Sequence, residues 1–448
     1  MLAAALPLAA ATCDSLATLK IPHATIQTAA LVPAAAETPA YCRVAGVLKP
    51  TSDSDIRFEI WMPEKWNGKF AGVGNGGFAG SISTPALAGL VRRGYATAST
   101  DTGHEAGGTD ASWALGHRER VVDFGYRAIH ETAVAAKAAI AAFYGSGPKK
   151  SYFDSCSNGG RQALMEAQRY PEDYDGIVAG APANNWTHLL ANAVTTTQAV
   201  NAEGAWIPPA KLRTIEAATL AACGKDGIID HPDQCGFKPA SLLCKDADAD
   251  TCLTAPQVTA LEKILAGTKG SKGQIFPGYV VGGITGAGGW ASWITGNAPG
   301  NSLMYAFGTN FFGKIVYGDP AWDYHTFQAD RDTAKADELA RIFNSNDPDM
   351  SKFAARGGKL IIYHGWSDAA ITPLATIDYY RQIRNPDEFV RLYMIPGMQH
   401  CGGGPGDSPE ALREINSAVE RWVEEGVAPA RISGKKRALC RYPEESCK

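Results

Sequence analysis

The sequence predicts an α/β architecture: a largely parallel sheet with helices on its faces, interrupted by one large insertion. Three observations lead there. Short β-branched or aromatic segments alternate with amphipathic helices from residue 119 to 183 and again from 359 to 425. The stretch Ser151 to Arg161 (SYFDSCSNGGR) reads as a strand passing through a glycine-assisted turn into a helix, whose apolar Ala163, Leu164 and Ala167 recur at helical spacing. Between Asn184 and Pro348 the alternation stops, and Gly, Asn, Pro and four cysteines take over. The predicted division is therefore a main domain of 13–183 and 349–448, with 184–348 as an inserted lid. Met1 to Ala11 (MLAAALPLAAA) is apolar and lacks a basic start, so residues 1–12 read as the remnant of a secretory signal.

Composition narrows the function classes. With 448 residues, 45% of them hydrophobic and 20% charged, the chain can bury a large core and still carry an insertion. A net charge of −4 without basic clusters gives no footprint for nucleic acid. No apolar run approaches the roughly 20 residues of a membrane span, so small-molecule chemistry is favoured over nucleic-acid or membrane partners. The ten cysteines include no C-x-x-C pair, which argues against a zinc or thioredoxin-like site and for an oxidised, secreted or periplasmic protein. Proximity pairs Cys13 with Cys42, Cys223 with Cys235, Cys244 with Cys252 and Cys440 with Cys447. Cys156 and Cys401 are left over.

In chain order, strands are predicted at 24–31, 41–48, 56–62, 69–73 and 95–99, each broken from the next by Pro or Gly. Gly72 to Gly80 (GVGNGGFAG) is too glycine-rich for regular structure, so its backbone can approach a ligand closely. The spacing of Gly74, Gly76 and Gly77 does not match a dinucleotide fingerprint; an oxyanion-binding loop fits better. A long helix is predicted from Glu119 to Tyr144, with Val122, Ala128, Ala133, Ala136 and Ile140 on one face. It delivers the chain to the Ser151 strand. Further strands at 174–181, 359–363 and 390–395, and helices at 373–383 and 409–425, complete the pattern.

The chemistry sits at the ends of those strands. Ser157 falls on the strand-to-helix turn, where the first amides of the helix can stabilise an oxyanion. Asp368 follows the strand at 359–363, and His400 follows the strand at 390–395. Each has an ordinary reading: a serine N-cap, an aspartate capping the turn S-D-A-A, a solvated loop histidine. Together they are far more specific, because Ser157, Asp368, His400 is the chain order of an α/β-hydrolase triad, with each residue at the end of a predicted strand. The leftover cysteines flank two of the three. A bond between Cys156 and Cys401 would hold nucleophile and base together across the insertion and stabilise the fold by roughly 5 kcal/mol in the chain-entropy model.

Cys156-Ser157-x-Gly159-Gly160, Asp368 and His400-Cys401 resemble the tannase and feruloyl esterase family, which also includes the hydrolase of mono(2-hydroxyethyl) terephthalate. Ser99 to His104 (STDTGH), Tyr174 to Pro182 (YDGIVAGAP) and Pro396-Gly397-Met398 extend the resemblance over nearly the whole chain. It implies an α/β-hydrolase fold with a lid over the acyl pocket, a Cys156–Cys401 active-site disulfide, and the four other bridges that proximity suggests. The implied mechanism has His400, oriented by Asp368, take the Ser157 proton, while the Asn158 amide and that of Gly76 or Gly77 hold the oxyanion. His364 is expected to line the pocket and Trp290 to stack on an aromatic acyl group. Two positions depart from the family pattern. Ser155 stands where the family has glycine, and the lid's calcium loop is shortened to Cys223 to Asp230 (CGKDGIID), leaving Asp226, the Ile228 carbonyl and Asp230 as candidate ligands where calcium needs six to eight oxygens.

The substrate expected is a small aromatic ester. Arg213 is the sole arginine between Asn184 and Asn310, so neutral hydroxycinnamoyl or galloyl esters are favoured over a terephthalate monoester with its free carboxylate. A non-catalytic binding protein on the same fold would leave Ser157 unlabelled by a fluorophosphonate, and an acyltransferase would require an added alcohol.

Overall fold

The computed structural model describes residues 11–406, 408–434 and 438–444. Nine strands form the central sheet: β1 (Ala24–Val32), β2 (Tyr41–Leu48), β3 (Ile56–Pro63), β4 (Lys69–Val73), β5 (Ala96–Thr100), β6 (Lys150–Cys156), β7 (Gly176–Gly180), and, after the insertion, two more. The insertion contributes only a small separate hairpin, β8 (Thr268–Gly270) with β9 (Gly273–Phe276). The sheet then resumes with β10 (Lys359–Gly365) and β11 (Val390–Ile395), and the pair β12 (Arg431–Ser433) and β13 (Ala438–Cys440) closes the described chain. In space the order is β1-β2-β3-β5-β4-β6-β7-β10-β11. Pairings from β1 to β5 are antiparallel, and those from β5 to β11 are parallel.

Burial follows from that topology. β7, β10 and β11 are almost wholly buried, as strands covered on both faces must be, and their sequences are nearly continuous apolar runs. One face packs Phe70, Phe153 and Ile362 against Ala136 and Ile140 of the helix Ala128–Tyr144 and Leu164 of the helix Asn158–Arg169. The other packs Tyr152, Val178 and Ile361 against Ile415, Val419 and Trp422 of the helix Ser408–Glu425.

The helix expected over 119–144 is interrupted once. Arg118–Val122 leads into a π-helical turn at Asp123–Arg127 before Ala128–Tyr144 continues. Arg161 accounts for the widened turn. Its guanidinium is fully buried and donates to the carbonyls of Phe124 and Gly125, which the wider turn leaves available. Gly125 also presses on the end of the insertion, since a Cβ there would lie 2.4 Å from Ile342 Cγ2.

The inserted segment leaves after β7 and returns to β10, its neighbour in the sheet. Its two ends meet, the Ser345 amide donating to the Asn184 carbonyl at 2.8 Å. Its core is shared with the body of the protein: Leu190, Trp290, Phe311 and Phe312 pack in one cluster with Phe78, Phe124 and Ile371. Cys13–Cys42, Cys223–Cys235, Cys244–Cys252 and Cys156–Cys401 are bonded. Cys447, the expected partner of Cys440, and most of the signal-like residues 1–12 lie outside the described residues.

Candidate active site

β6 ends at Cys156, and the next residue turns the chain. Ser157 has φ +67° and ψ −125°, a conformation disfavoured for an L-residue, held by three backbone bonds. Its N–H donates to the Gly180 carbonyl, and its own carbonyl accepts from Arg161 and Ala183. Two glycines make the elbow sterically feasible. A Cβ on Gly160 would lie 2.3 Å from the Gly180 carbonyl, so the helix can start against the end of β7 only without one. Ser155, where glycine was expected, is accommodated the same way: a side chain on Gly74 or Gly159 would collide with its hydroxyl at 2.7 Å and 1.9 Å, and none is present.

Asp368, fully buried past the end of β10, accepts four hydrogen bonds. The amides of Ala370 and Ile371 reach Oδ1 at 2.8 and 2.9 Å, and the imidazoles of His400 and His364 reach Oδ2 at 2.8 and 3.1 Å. Burial alone would raise its carboxyl; the charge interaction with His400 and the hydrogen bonds from both rings outweigh that and hold it well below the ordinary range. With Nδ1–H of His400 turned to Asp368, Nε2 is the nitrogen left for Ser157. Ser157 and His400 line one cleft, and their neighbours Cys156 and Cys401 are joined at a Cα separation of 5.8 Å.

Gly77 and Asn158, two of the residues expected to hold an oxyanion, line the same cleft. Asn158 opens its helix, where an amide has no partner in the preceding turn. Gly77 has φ +54°, and a Cβ there would lie 2.3 Å from the Gly108 carbonyl. Gly76 is outside the lining, its carbonyl accepting from Ala79. The loop is anchored from the STDTGH stretch: Gly80 donates to the Asp101 carbonyl, Asn75 Nδ2 to that of Thr100, and His104 Nε2 to that of Phe78 at 2.7 Å.

The remaining walls are Trp186, Leu189, Leu190, Trp293, Met304, Phe307 and Ile371, with no lysine, arginine, aspartate or glutamate among them. Two expectations need correction. Trp290 is 1% exposed and belongs to the shared core; Trp293, one turn later on the same short helix, is the residue that reaches the cleft, its ring edge-on to His400 at 5.0 Å and stacked on Phe307. His364 does not line the cleft, because it is wholly buried behind Asp368. The recurrence of tryptophan at 290 and 293 was the available signal for an aromatic wall; which of the two faces inward is settled by packing.

The shortened calcium loop does not fit a calcium ion. Lys225 to Ile228 closes as a tight turn with Asp226 and Gly227 at positive φ, and the Ile228 carbonyl is already bonded to the Lys225 amide. Asp226 is exposed, and Asp230 faces a different groove, with His231 and Arg381. These donors fall short of the six to eight oxygens the ion takes. A second group, His130, Glu166 and Asp173, lies outside the cleft. Burial, reinforced by Asp173, pushes the Glu166 carboxyl well above its ordinary range, and His130 and Lys137 lie 2.6 and 3.8 Å from Asp173.

A largely parallel sheet with a strained serine at one strand end, and an acid and a histidine at two later ones, defines an α/β hydrolase. The model of the family described as tannase and feruloyl esterase matches residues 42–446. An uncharacterised esterase of Xanthomonas campestris pv. campestris is 38% identical, the match covering 98% of this chain and 88% of that protein. Among solved structures, feruloyl esterase B from Aspergillus oryzae superposes with a TM-score of 0.88 at 30% identity, over 96% of this chain and 95% of the other. Tannin acyl hydrolase from Aspergillus niger shares the fold, with a TM-score of 0.79 at 24% identity over 96% and 92% of the two chains. The chain belongs to the tannase and feruloyl esterase family and is a carboxylic ester hydrolase.

Proposed function

We propose that this enzyme is a secreted or periplasmic serine esterase that hydrolyses neutral aromatic esters, of the hydroxycinnamoyl or galloyl kind, through Ser157, His400 and Asp368. The observation that carries the reading is the cleft itself: Ser157 and His400 open onto aromatic and aliphatic walls without a charged side chain besides the base. His400 accepts the Ser157 proton as the hydroxyl attacks the ester carbonyl, and Asp368 stabilises the imidazolium that forms. The Asn158 and Gly77 amides receive the oxyanion, His400 protonates the departing alcohol, and water then releases the acid by the same steps. An aromatic acyl group fits between Trp186, Trp293 and Phe307.

A free carboxylate on the acyl group, as in mono(2-hydroxyethyl) terephthalate, finds no cation in that cleft and must shed its hydration uncompensated. Four disulfides among the described residues, one of them at the site, favour an oxidising compartment. Acid release from methyl ferulate, methyl gallate and mono(2-hydroxyethyl) terephthalate, measured for the parent and Ser157→Ala, tests the reading. The neutral esters are expected to turn over at least tenfold faster than the monoester, with activity abolished in the variant. Residual turnover by Ser157→Ala at the parent rate would sink the nucleophile, and a preference for the monoester would sink the substrate class.

A further inference from the structure

Behind the triad acid sits a second histidine that the mechanism above does not use. His364 Nε2 lies 3.1 Å from Asp368 Oδ2 and 2.9 Å from the Ile371 carbonyl, and His364 Nδ1 lies 2.8 Å from the Thr376 hydroxyl. Both neighbours of Nε2 only accept, since a carbonyl has no proton and Asp368 is ionised, so Nε2 carries the hydrogen. The other ring nitrogen, Nδ1, is paired with the Thr376 hydroxyl. That chain, Thr376 to His364 to Asp368, ends on Oδ2, the oxygen His400 also uses.

We propose that His364 is a positioning residue of the triad: its ring N–H fixes Asp368 Oδ2 in place and shares the negative charge that His400 would otherwise receive alone. The proposal rests on the triad reading above. With Oδ1 held by two amides and Oδ2 by two imidazoles, the carboxylate has no rotation open to it that keeps its bonds. A carboxylate that already donates charge density to one ring binds a second proton-bearing ring less strongly, so removing the His364 donor leaves Oδ2 to His400 alone and strengthens its hold on that ring. The other titratable groups facing Asp368 are the buried phenols of Tyr279 and Tyr363, both driven upward by burial, which remain neutral throughout. His364 itself is fully buried and outside the cleft, so it cannot act by contact with substrate.

The test is an NMR titration of the His400 ring in the full-length protein and in His364→Phe and His364→Gln, with ester kinetics alongside. Phenylalanine keeps the ring volume and removes the donor; the glutamine amide can reach the place of Nε2–H. His364→Phe is expected to raise the pKa of His400 by about half a unit or more, with the acid limb of the kcat/KM profile moving up alongside. It is expected to lower kcat roughly tenfold with KM unchanged. His364→Gln is expected to restore most of both. Should His364→Phe fail to fold, Thr376→Val, which removes the hydroxyl paired with Nδ1, is expected to shift His400 in the same direction by less. An unchanged or lowered His400 pKa in the folded variants overturns the proposal, as does a raised KM at constant kcat, which would mean substrate contact. The titration needs no turnover, so a parent that hydrolyses none of the esters would count against the esterase substrate reading and leave this test readable.

Discussion

The two glycines of the proposed oxyanion loop make opposite demands on their positions. Gly77 sits at positive φ with the Gly108 carbonyl where a Cβ would go, whereas a Cβ on Gly76 would meet nothing within 4 Å. Gly77→Ala is therefore expected to displace the loop and lower kcat by roughly a hundredfold or more, the scale of losing one oxyanion donor. Gly76→Ala should stay within about twofold of the parent. Steady-state kinetics on one ester for both variants decides it; equal losses would mean that the loop, and not the Gly77 amide, matters. The sequence held these residues as an undivided pair because their difference lies in what packs against them. The places of Ser157, Asp368 and His400 past strand ends were legible for the opposite reason: each follows an apolar run whose strand character is local. Trp293 and the true place of His364 were not, since burial of one ring and exposure of its neighbour is decided by elements far away in the chain.

At the level of elements, the loop that presents Gly77 is held by the STDTGH turn, and two buried titratable groups sit in that turn. Burial pushes His104 down to about 4, although its bond to the Phe78 carbonyl works the other way. Burial pushes Asp101 up to about 7 against the amides of Gly103 and Arg57. The signs differ. A histidine with a depressed folded value takes up a proton on unfolding, so its contribution is intact above 6.5 and is lost as the pH falls toward 4, by up to about 3 kcal/mol. A carboxyl with a raised folded value stabilises at low pH and loses that contribution as the pH rises through about 7. Urea unfolding at pH 7 and pH 4.5 should therefore show a smaller acid loss in His104→Gln than in the parent; an identical loss would place the acid sensitivity elsewhere. Most of the elements themselves were readable from periodicity, with β1 to β7, β10 and β11 within a residue or two of expectation. The helix Thr84–Arg92, marked by Pro85 in its first turn, is nevertheless passed over amid glycine-rich neighbours. The π-turn at Asp123–Arg127 answers to Arg161, a partner that no local pattern announces.

Across the whole molecule, Cys156–Cys401 ties two halves of the main domain that are 245 residues apart. Replacing both cysteines by serine is expected to cost roughly 5 kcal/mol in the chain-entropy model, and to lower kcat more than it alters KM. Thermal midpoint and kinetics of the double variant check this; an unchanged midpoint would show that packing alone holds Ser157 and His400 together. The inserted segment is the part whose internal arrangement the sequence least foretold, because its helices follow no β-α alternation and are ordered by the core they share with Phe124 and Ile371. Yet that segment begins and ends on adjoining strands, with Asn184 and Ser345 bonded to one another. Exchanging that segment as one piece at its two bonded ends would replace Trp186, Trp293 and Phe307 as a set and leave Ser157, Asp368 and His400 on the sheet. The walls of the cleft are thus separable from the residues at its strand ends, provided the incoming piece brings a surface that seats on Phe124 and Ile371.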